Sequence, residues 1–231
     1  MKAILGGTGI DQAKNFDGEE KIIETAYGAV SYMEKDGIIY LPRHKKNHSV
    51  PPHKINYKAN IKALKELGVD EVVSIYAVGS ISEKLKPLSY GLVSDFADFT
   101  GRDTTFFGGG EEGVRHISVS EPFSKNLQDR IKKSGNEIAE NLVYVTTNGP
   151  RLETKAEIRA FSILGFDIVG MTLAQEAVLL KEAGIDNAAI AYSINWAAGL
   201  EEDVVFVSDE EIEKLSQEII KRAEKALLLS L

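Results

Sequence analysis

Short apolar runs of strand length alternate with longer segments of helical period along this chain, and no other feature narrows the possible folds as far. Runs rich in Val, Ile and Tyr, with Gly or Pro nearby, predict strands at 2–5, 29–33, 37–41, 71–76, 91–96, 142–146, 167–170 and 188–194. Helical spacing of apolar residues predicts helices at 55–67, 124–133, 154–164, 173–183 and 209–229. Leu173, Ala177, Leu180 and Ala183 keep that spacing, and Ile212, Leu215, Ile219, Ala223 and Ala226 form the inward stripe of the last helix. Gly68 and Gly184 read as glycines just past helix ends, and Ser208 with Glu211 reads as a capping box. The first half is strand-dense. The second half alternates strand and helix, which points to largely parallel pairing with helices on both faces. The expectation is an α/β fold: a single domain over 1–231, with a twisted, mixed β-sheet flanked by helices.

The 231 residues suffice for one sizeable core. Hydrophobic residues at 43% and charged residues at 27% place the chain among globular proteins. A formal net charge of −8 argues against binding a nucleic-acid backbone. The absence of cysteine removes disulfides, thiolate metal sites, Fe–S clusters and thiol nucleophiles together. Met1-Lys2-Ala3-Ile4-Leu5 meets Gly6-Gly7 too soon for a signal-peptide core. No stretch reaches the roughly 18–20 apolar residues of a membrane span. The expected setting is cytoplasmic, with neither nucleic acid nor membrane as partner.

Five segments carry candidate chemistry. Ile4-Leu5-Gly6-Gly7-Thr8-Gly9 follows a predicted strand. Its glycines let backbone N–H groups approach an anion, and Thr8 adds a hydroxyl; the alternative is a plain tight turn. A dinucleotide fingerprint needs a third glycine where Gln12 stands, and the Walker pattern lacks its Gly-Lys-Ser/Thr. A nucleotide-dependent oxidoreductase is therefore disfavoured. Arg43-His44 closes another predicted strand, and a guanidinium there can grip phosphate bidentately. Pro51 and Pro52 break any helix that would carry His44 and His48 as metal ligands, and no close carboxylate completes a tetrahedral set. An anion-binding loop fits better than a metal site or a merely solvated basic loop.

Thr147-Asn148-Gly149-Pro150-Arg151-Leu152-Glu153-Thr154 spans a strand-to-helix junction, the usual ligand crevice of open α/β sheets. Glu153 is there either a ligand group or a carboxylate favoured by a helix start. Gly170-Met171-Thr172 is a second such junction, where Met171 could equally fill the core. In Ser193-Ile194-Asn195-Trp196-Ala197-Ala198-Gly199 an amide follows an apolar strand, either to satisfy a turn or to read a ligand edge. The glycine-rich 108–113 reads as a lid or subunit-contact loop.

Taken in order, these segments resemble the trimeric purine nucleoside phosphorylase and methylthioadenosine phosphorylase family over nearly the whole chain. The anchors are Gly6-Gly7-Thr8-Gly9, Arg43-His44, Asn56-Tyr57-x-Ala59-Asn60, Ala77-Val78-Gly79-Ser80, Glu121-Pro122-Phe123, Gly149-Pro150-Arg151, Ala156-Glu157, Met171-Thr172 and Glu176. The pattern is nearer the methylthioadenosine branch. The resemblance implies a nucleoside phosphorylase-like fold and a phosphate site of Thr8, Arg43, His44, Ala77 and Thr172. It implies that Met171 packs on the ribose, that Glu153 and Asn195 read a 6-oxopurine and serve as the catalytic pair, and that Ala77, Val78, Gly79 and Leu152 line the same pocket. It further implies that His116 is lent by a neighbouring subunit and that Val207 lies near the 5′ substituent. The implied assembly is a homotrimer or a dimer of trimers. No metal or organic cofactor is implied; phosphate is a substrate.

Several positions depart from the adenine-specific branch. Asn195 and Ala197 stand where it places aspartates, and Glu153 stands where it places a serine. Both changes point to 6-oxopurines. Tyr76 and Ile194 replace threonines, which implies an altered phosphate and sugar shell. The chain is also shorter at its C-terminus than longer members, which leaves the cover of the 5′ end open. The expected function is phosphorolysis of inosine- or guanosine-type nucleosides to free base and ribose 1-phosphate. The alternatives are a 5′-methylthioinosine or 5′-methylthioadenosine phosphorylase and, from another class, a non-catalytic purine-binding protein.

Overall fold

Strands and helices alternate in the computed structural model, which describes residues 1–10, 19–45, 49–109 and 114–229. The expectations on Gln12, on His48 and on 110–113 of the glycine loop lie outside those residues. The strands are β1 (Lys2–Gly6), β2 (Lys21–Thr25), β3 (Gly28–Lys35), β4 (Ile38–Pro42), β5 (Glu71–Ser80), β6 (Tyr90–Asp98), β7 (Ala139–Thr146), β8 (Ile168–Gly170) and β9 (Asp186–Trp196). The helices are α1 (Tyr57–Glu66), α2 (Lys125–Lys133), α3 (Lys155–Ile163), α4 (Leu173–Ala183) and α5 (Asp209–Leu228). Each predicted strand and helix is present, which makes this the expected α/β fold.

The expected pattern missed β2. That strand is a half-exposed edge, with Ile22 69% exposed, so it carries no apolar run. It forms a hairpin with β3 through Thr25 and Gly28. Two further strands reach past their expected ends. β5 continues through Ala77-Val78-Gly79-Ser80 past its expected end at 76, and β9 continues through Asn195 to Trp196 past its expected end at 194. Tertiary pairing extends them. β5 pairs in parallel with β1 and β9, and its last residues Gly79 and Ser80 pair antiparallel with Val169 and Ile168 of β8. β8 pairs with β7, β7 with β6, and β6 with β9. The five strands β5, β9, β6, β7 and β8 thus close a ring at one end of the mixed sheet.

Alternation along the strands divides the core between the two faces. Ile4, Tyr40, Val73 and Ile190 pack against Leu127 and Ile131 of α2 and against Ile219, Ile220 and Ala223 of α5. Ala3, Leu5, Ile39 and Val72 pack against Ile61 and Leu64 of α1 and Leu179 and Leu180 of α4. A third cluster draws on all five ring strands through Val78, Val93, Tyr144, Ile168 and Ala191. Each fully buried Ile or Leu contributes roughly 1.5–3 kcal/mol, so these two layers hold the strand ends in place.

Helix ends follow local rules. Ser208 and Glu211 form the expected capping box on α5, and Thr154 and Glu157 form a second one on α3. Gly184 caps α4 at φ 65°, as a residue without Cβ allows. Among the described residues no helix is long and apolar enough to cross a membrane.

Candidate active site

The carboxyl ends of β1, β4, β5, β8 and β9 converge on one cleft, the place where open α/β sheets bind ligands. From β1 and β4 come Thr8, Arg43 and His44; from β5 come Ala77, Val78 and Gly79. The loop after β7 brings Leu152 and Glu153, the β8–α4 junction brings Met171 and Thr172, and β9 brings Asn195. Residues from opposite ends of the sequence thereby face each other. His116 and Val207 do not join them. His116 lies exposed in the segment after 113, outside its own chain's cleft. Val207 packs on the core beside α5, and its N–H donates to the Ile194 carbonyl at 2.9 Å. Val204 and Phe206 line the cleft instead. Phe206 is one residue from Val207 and Val204 three, and in extended chain an odd offset turns a side chain to the other side.

Arg43 differs most from its expected geometry. Its side chain is 1% exposed, and its fork is already occupied by a carboxylate. Nε donates to Glu176 Oε1 at 2.5 Å and Nη2 to Glu176 Oε2 at 2.8 Å, while Nη1 donates to the Ile75 carbonyl at 3.1 Å. Tyr76 donates its hydroxyl to the same Glu176 Oε2 at 2.8 Å, and its ring lies 4.5 Å from the guanidinium carbon. Three of the five guanidinium N–H groups are so engaged, which leaves two for an anion. The expected bidentate grip thus goes to Glu176. Burial works against the Arg43 charge, but the Glu176 carboxylate outweighs it and holds the pKa above the usual range. Burial pushes the Tyr76 phenol up, and the Glu176 charge adds to this. Tyr76 therefore braces Arg43 from behind the cleft wall, while Ile194 lines the cleft itself. Neither Glu176 nor Tyr76 was expected as a support, because their partners are distant in sequence.

Close packing holds the rest of this wall. A Cβ on Gly7 would stand 2.6 Å from Arg43 Nη1, so a larger residue there would have to displace the buried guanidinium. His44 is buried, and its Nδ1 donates to the Val50 carbonyl at 2.8 Å. Thr172 is the N-cap residue of α4, but its side chain makes no capping bond. The α4 N-terminus is served instead by Thr146, whose hydroxyl accepts from the Ala174 N–H at 3.3 Å.

The opposite wall is set by the loop after β7 and by a bulge in β9. Thr147 donates its hydroxyl to Glu153 Oε1 at 2.5 Å. The carboxylate that caps α3 is Glu157, paired with Thr154, so Glu153 does not serve as that cap. On β9 the pairing with β5 slips between Val78 and Gly79, so Ser193 and Asn195 oppose consecutive residues and Ile194 is the extra one. The bulge brings both Ile194 and Asn195 to the cleft. One Asn195 N–H donates to the Trp196 carbonyl at 2.7 Å, within β9 and not in a turn, and leaves a second N–H by inventory. A Cβ on Gly79 would stand 3.5 Å from Asn195 Nδ2, in ordinary contact. Among the described residues no group of three His, Asp or Glu side chains could hold a metal ion.

The phosphorylase superfamily profile matches residues 3–231. The chain is 38% identical to the 6-oxopurine nucleoside phosphorylase of Pyrococcus furiosus over 239 residues, covering 95% of this chain and 89% of that protein. It is 41% identical to the S-methyl-5'-thioadenosine phosphorylase of Nitrosopumilus maritimus over 229 residues, covering 94% of this chain and 85% of that one. The methylthioadenosine phosphorylase of Schistosoma mansoni in its apo form superposes with a TM-score of 0.85 at 28% identity, covering 98% and 89% of the two chains. Profile, relatives and fold agree: the chain belongs to the phosphorylase superfamily.

Proposed function

We propose that this protein is a purine nucleoside phosphorylase that cleaves 6-oxopurine ribonucleosides with inorganic phosphate. One observation carries the reading. Thr8, Arg43, His44 and Thr172, which suit an anion, and Glu153 and Asn195, which suit a purine base, line a single cleft together with Met171. A phosphate oxygen bonds to the anomeric carbon as the bond to the purine nitrogen breaks. The electron pair of that bond enters the purine, and a proton completes the free base. Arg43 offers its two remaining N–H groups to phosphate, and the Asn195 N–H meets charge developing on the departing ring. Glu153 accepts from the N–H of a 6-oxopurine, where a 6-aminopurine would present a lone pair. The relative from Pyrococcus furiosus supports the 6-oxo reading.

A 5′-methylthio substrate is the second reading. It is favoured by the apolar Pro52, Val204 and Phe206 on the cleft and by the relative from Nitrosopumilus maritimus. The proposal extends to a cytoplasmic salvage role and to a homotrimer or dimer of trimers. His116 is exposed in its own chain, on a segment that also exposes Val114 and Val119, which suits delivery to a neighbour's cleft. Inosine incubated with and without phosphate decides the chemistry. Phosphate-dependent release of hypoxanthine with ribose 1-phosphate is expected. Tight binding with no turnover would establish the non-catalytic reading. A fully active monomer in sedimentation would remove the shared site.

A further inference from the structure

Arg102 does not line the cleft, yet it joins the two segments that carry the sugar- and base-facing residues. It follows β6 in a turn built by Asp98 and Thr100. The Thr100 N–H donates to Asp98 Oδ1 at 2.8 Å, and the Arg102 N–H donates to Thr100 Oγ1 at 3.1 Å. From this turn the guanidinium reaches both walls. Nε donates to Asn148 Oδ1 at 2.8 Å, on the loop that leads to Glu153. Nη1 lies 3.2 Å from the Met171 carbonyl, 3.3 Å from Gln175 Oε1 and 3.3 Å from the Tyr57 hydroxyl. The ties are reciprocal. Asn148 Nδ2 donates back to the Thr100 carbonyl at 2.7 Å, and Gln175 Nε2 donates to Asp98 Oδ2 and Thr100 Oγ1 at 3.1 and 2.9 Å.

We propose that Arg102 is a positioning residue for the nucleoside half of the cleft, fixing the spacing between Met171 and the loop that carries Glu153. The proposal rests on the phosphorolysis reading above. A guanidinium suits the task because its acceptors lie along two of its edges, which a single ammonium cannot span. No carboxylate pairs with Arg102 among the described residues, and its Nη2 is buried without a hydrogen-bond partner there. Simple ion pairing is therefore not what this arginine supplies. The phosphate wall has separate supports: Glu176 and Ile75 hold Arg43, and Val50 holds His44. Only Thr172 of that wall adjoins the Met171 carbonyl that Arg102 holds, so loss of Arg102 should act chiefly on the nucleoside and far less on phosphate.

The test is steady-state phosphorolysis of inosine by wild type, Arg102→Ala and Arg102→Lys, varying each substrate at saturating levels of the other. Displacement of a positioned group by about 1 Å can reduce rates by ~10²-fold, so the nucleoside kcat/KM of Arg102→Ala should fall by roughly 10- to 100-fold. The phosphate KM should stay within about twofold, and Arg102→Lys should recover part of the loss, because one donor can still reach one wall. A general loss of packing would lower the melting temperature and move both substrates together. Equal changes in both substrates, or no change in either, overturn the proposal. Should Arg102→Ala fail to fold, the same split in Arg102→Lys decides. A wild type inactive toward inosine refutes the phosphorolysis reading and this proposal with it; an active wild type without the split refutes the positioning role alone.

Discussion

Glu176→Gln should do more damage than its place outside the cleft suggests. The side chains of Arg43 and Glu176 are 1% and 0% exposed, and the pair shares two hydrogen bonds. Removing one partner of such a pair costs about 3–5 kcal/mol, because the other charge stays buried without its counter-ion. Glutamine keeps the shape, but its NH₂ must face Arg43 Nε–H in one orientation, or both Arg43 Nη2–H and the Tyr76 hydroxyl in the other, all of them donors to the present carboxylate. For a chain of this size each kcal/mol moves the melting midpoint by ~2–4 °C, so a fall of roughly 6–20 °C is expected. Arg43→Met should fall in the same range, now with the carboxylate orphaned. The double variant Arg43→Met/Glu176→Gln buries no charge and should be more stable than the two single losses summed. Urea denaturation of the four proteins measures the coupling, which should reach ~2–3 kcal/mol for residues in direct contact. The phosphate KM should rise in Glu176→Gln although no cleft residue has changed. Additive losses, within about 0.5 kcal/mol, would refute the argument that the two charges depend on each other.

Glu157 is held down at about 2, first by Arg151 and then by the Thr154 N–H, against an ordinary value of 4.5. A lowered carboxylate stabilises the fold fully above about 4.5 and loses that contribution as the pH falls towards 2. Glu157→Gln should therefore be less stable than wild type at neutral pH by ~1 kcal/mol or less, given its part-exposed ion pair, and the gap should close on acid titration of the denaturation midpoint. Gly170→Ala would set a methyl against the Tyr144 hydroxyl and should cost about 1–3 kcal/mol; adding Tyr144→Phe should recover part of the melting temperature, and no recovery would clear that contact of blame. Wild type should prefer inosine to adenosine by roughly 10⁴-fold, since a mismatched polar group at Glu153 stays unsatisfied. Asn195→Asp should narrow that ratio without abolishing it, and comparable wild-type rates on both nucleosides would remove both residues from base recognition.

Local chemistry made much of this protein legible in its sequence. Strand-length apolar runs located β1, β4 and β7 because burial on both faces demands them, and Ser208 with Glu211 announced α5 through a cap confined to four residues. Glycines after β1 and an arginine after β4 marked the anion-suited wall, since close backbone approach and a guanidinium leave recognisable residues. β2 escaped because an exposed edge needs no apolar run. The full lengths of β5 and β9 escaped because Gly79-Ser80 and Asn195 look like turn residues until ring closure supplies their hydrogen-bond partners. Phe206 was missed in favour of Val207 because side-chain direction depends on how that segment meets β9. The largest decision left to the tertiary structure was the partner of Arg43. A guanidinium in a loop can grip whichever anion reaches it, and only the packing of α4 against α1 and β9 brings Glu176, 133 residues away, to it in a space closed to solvent.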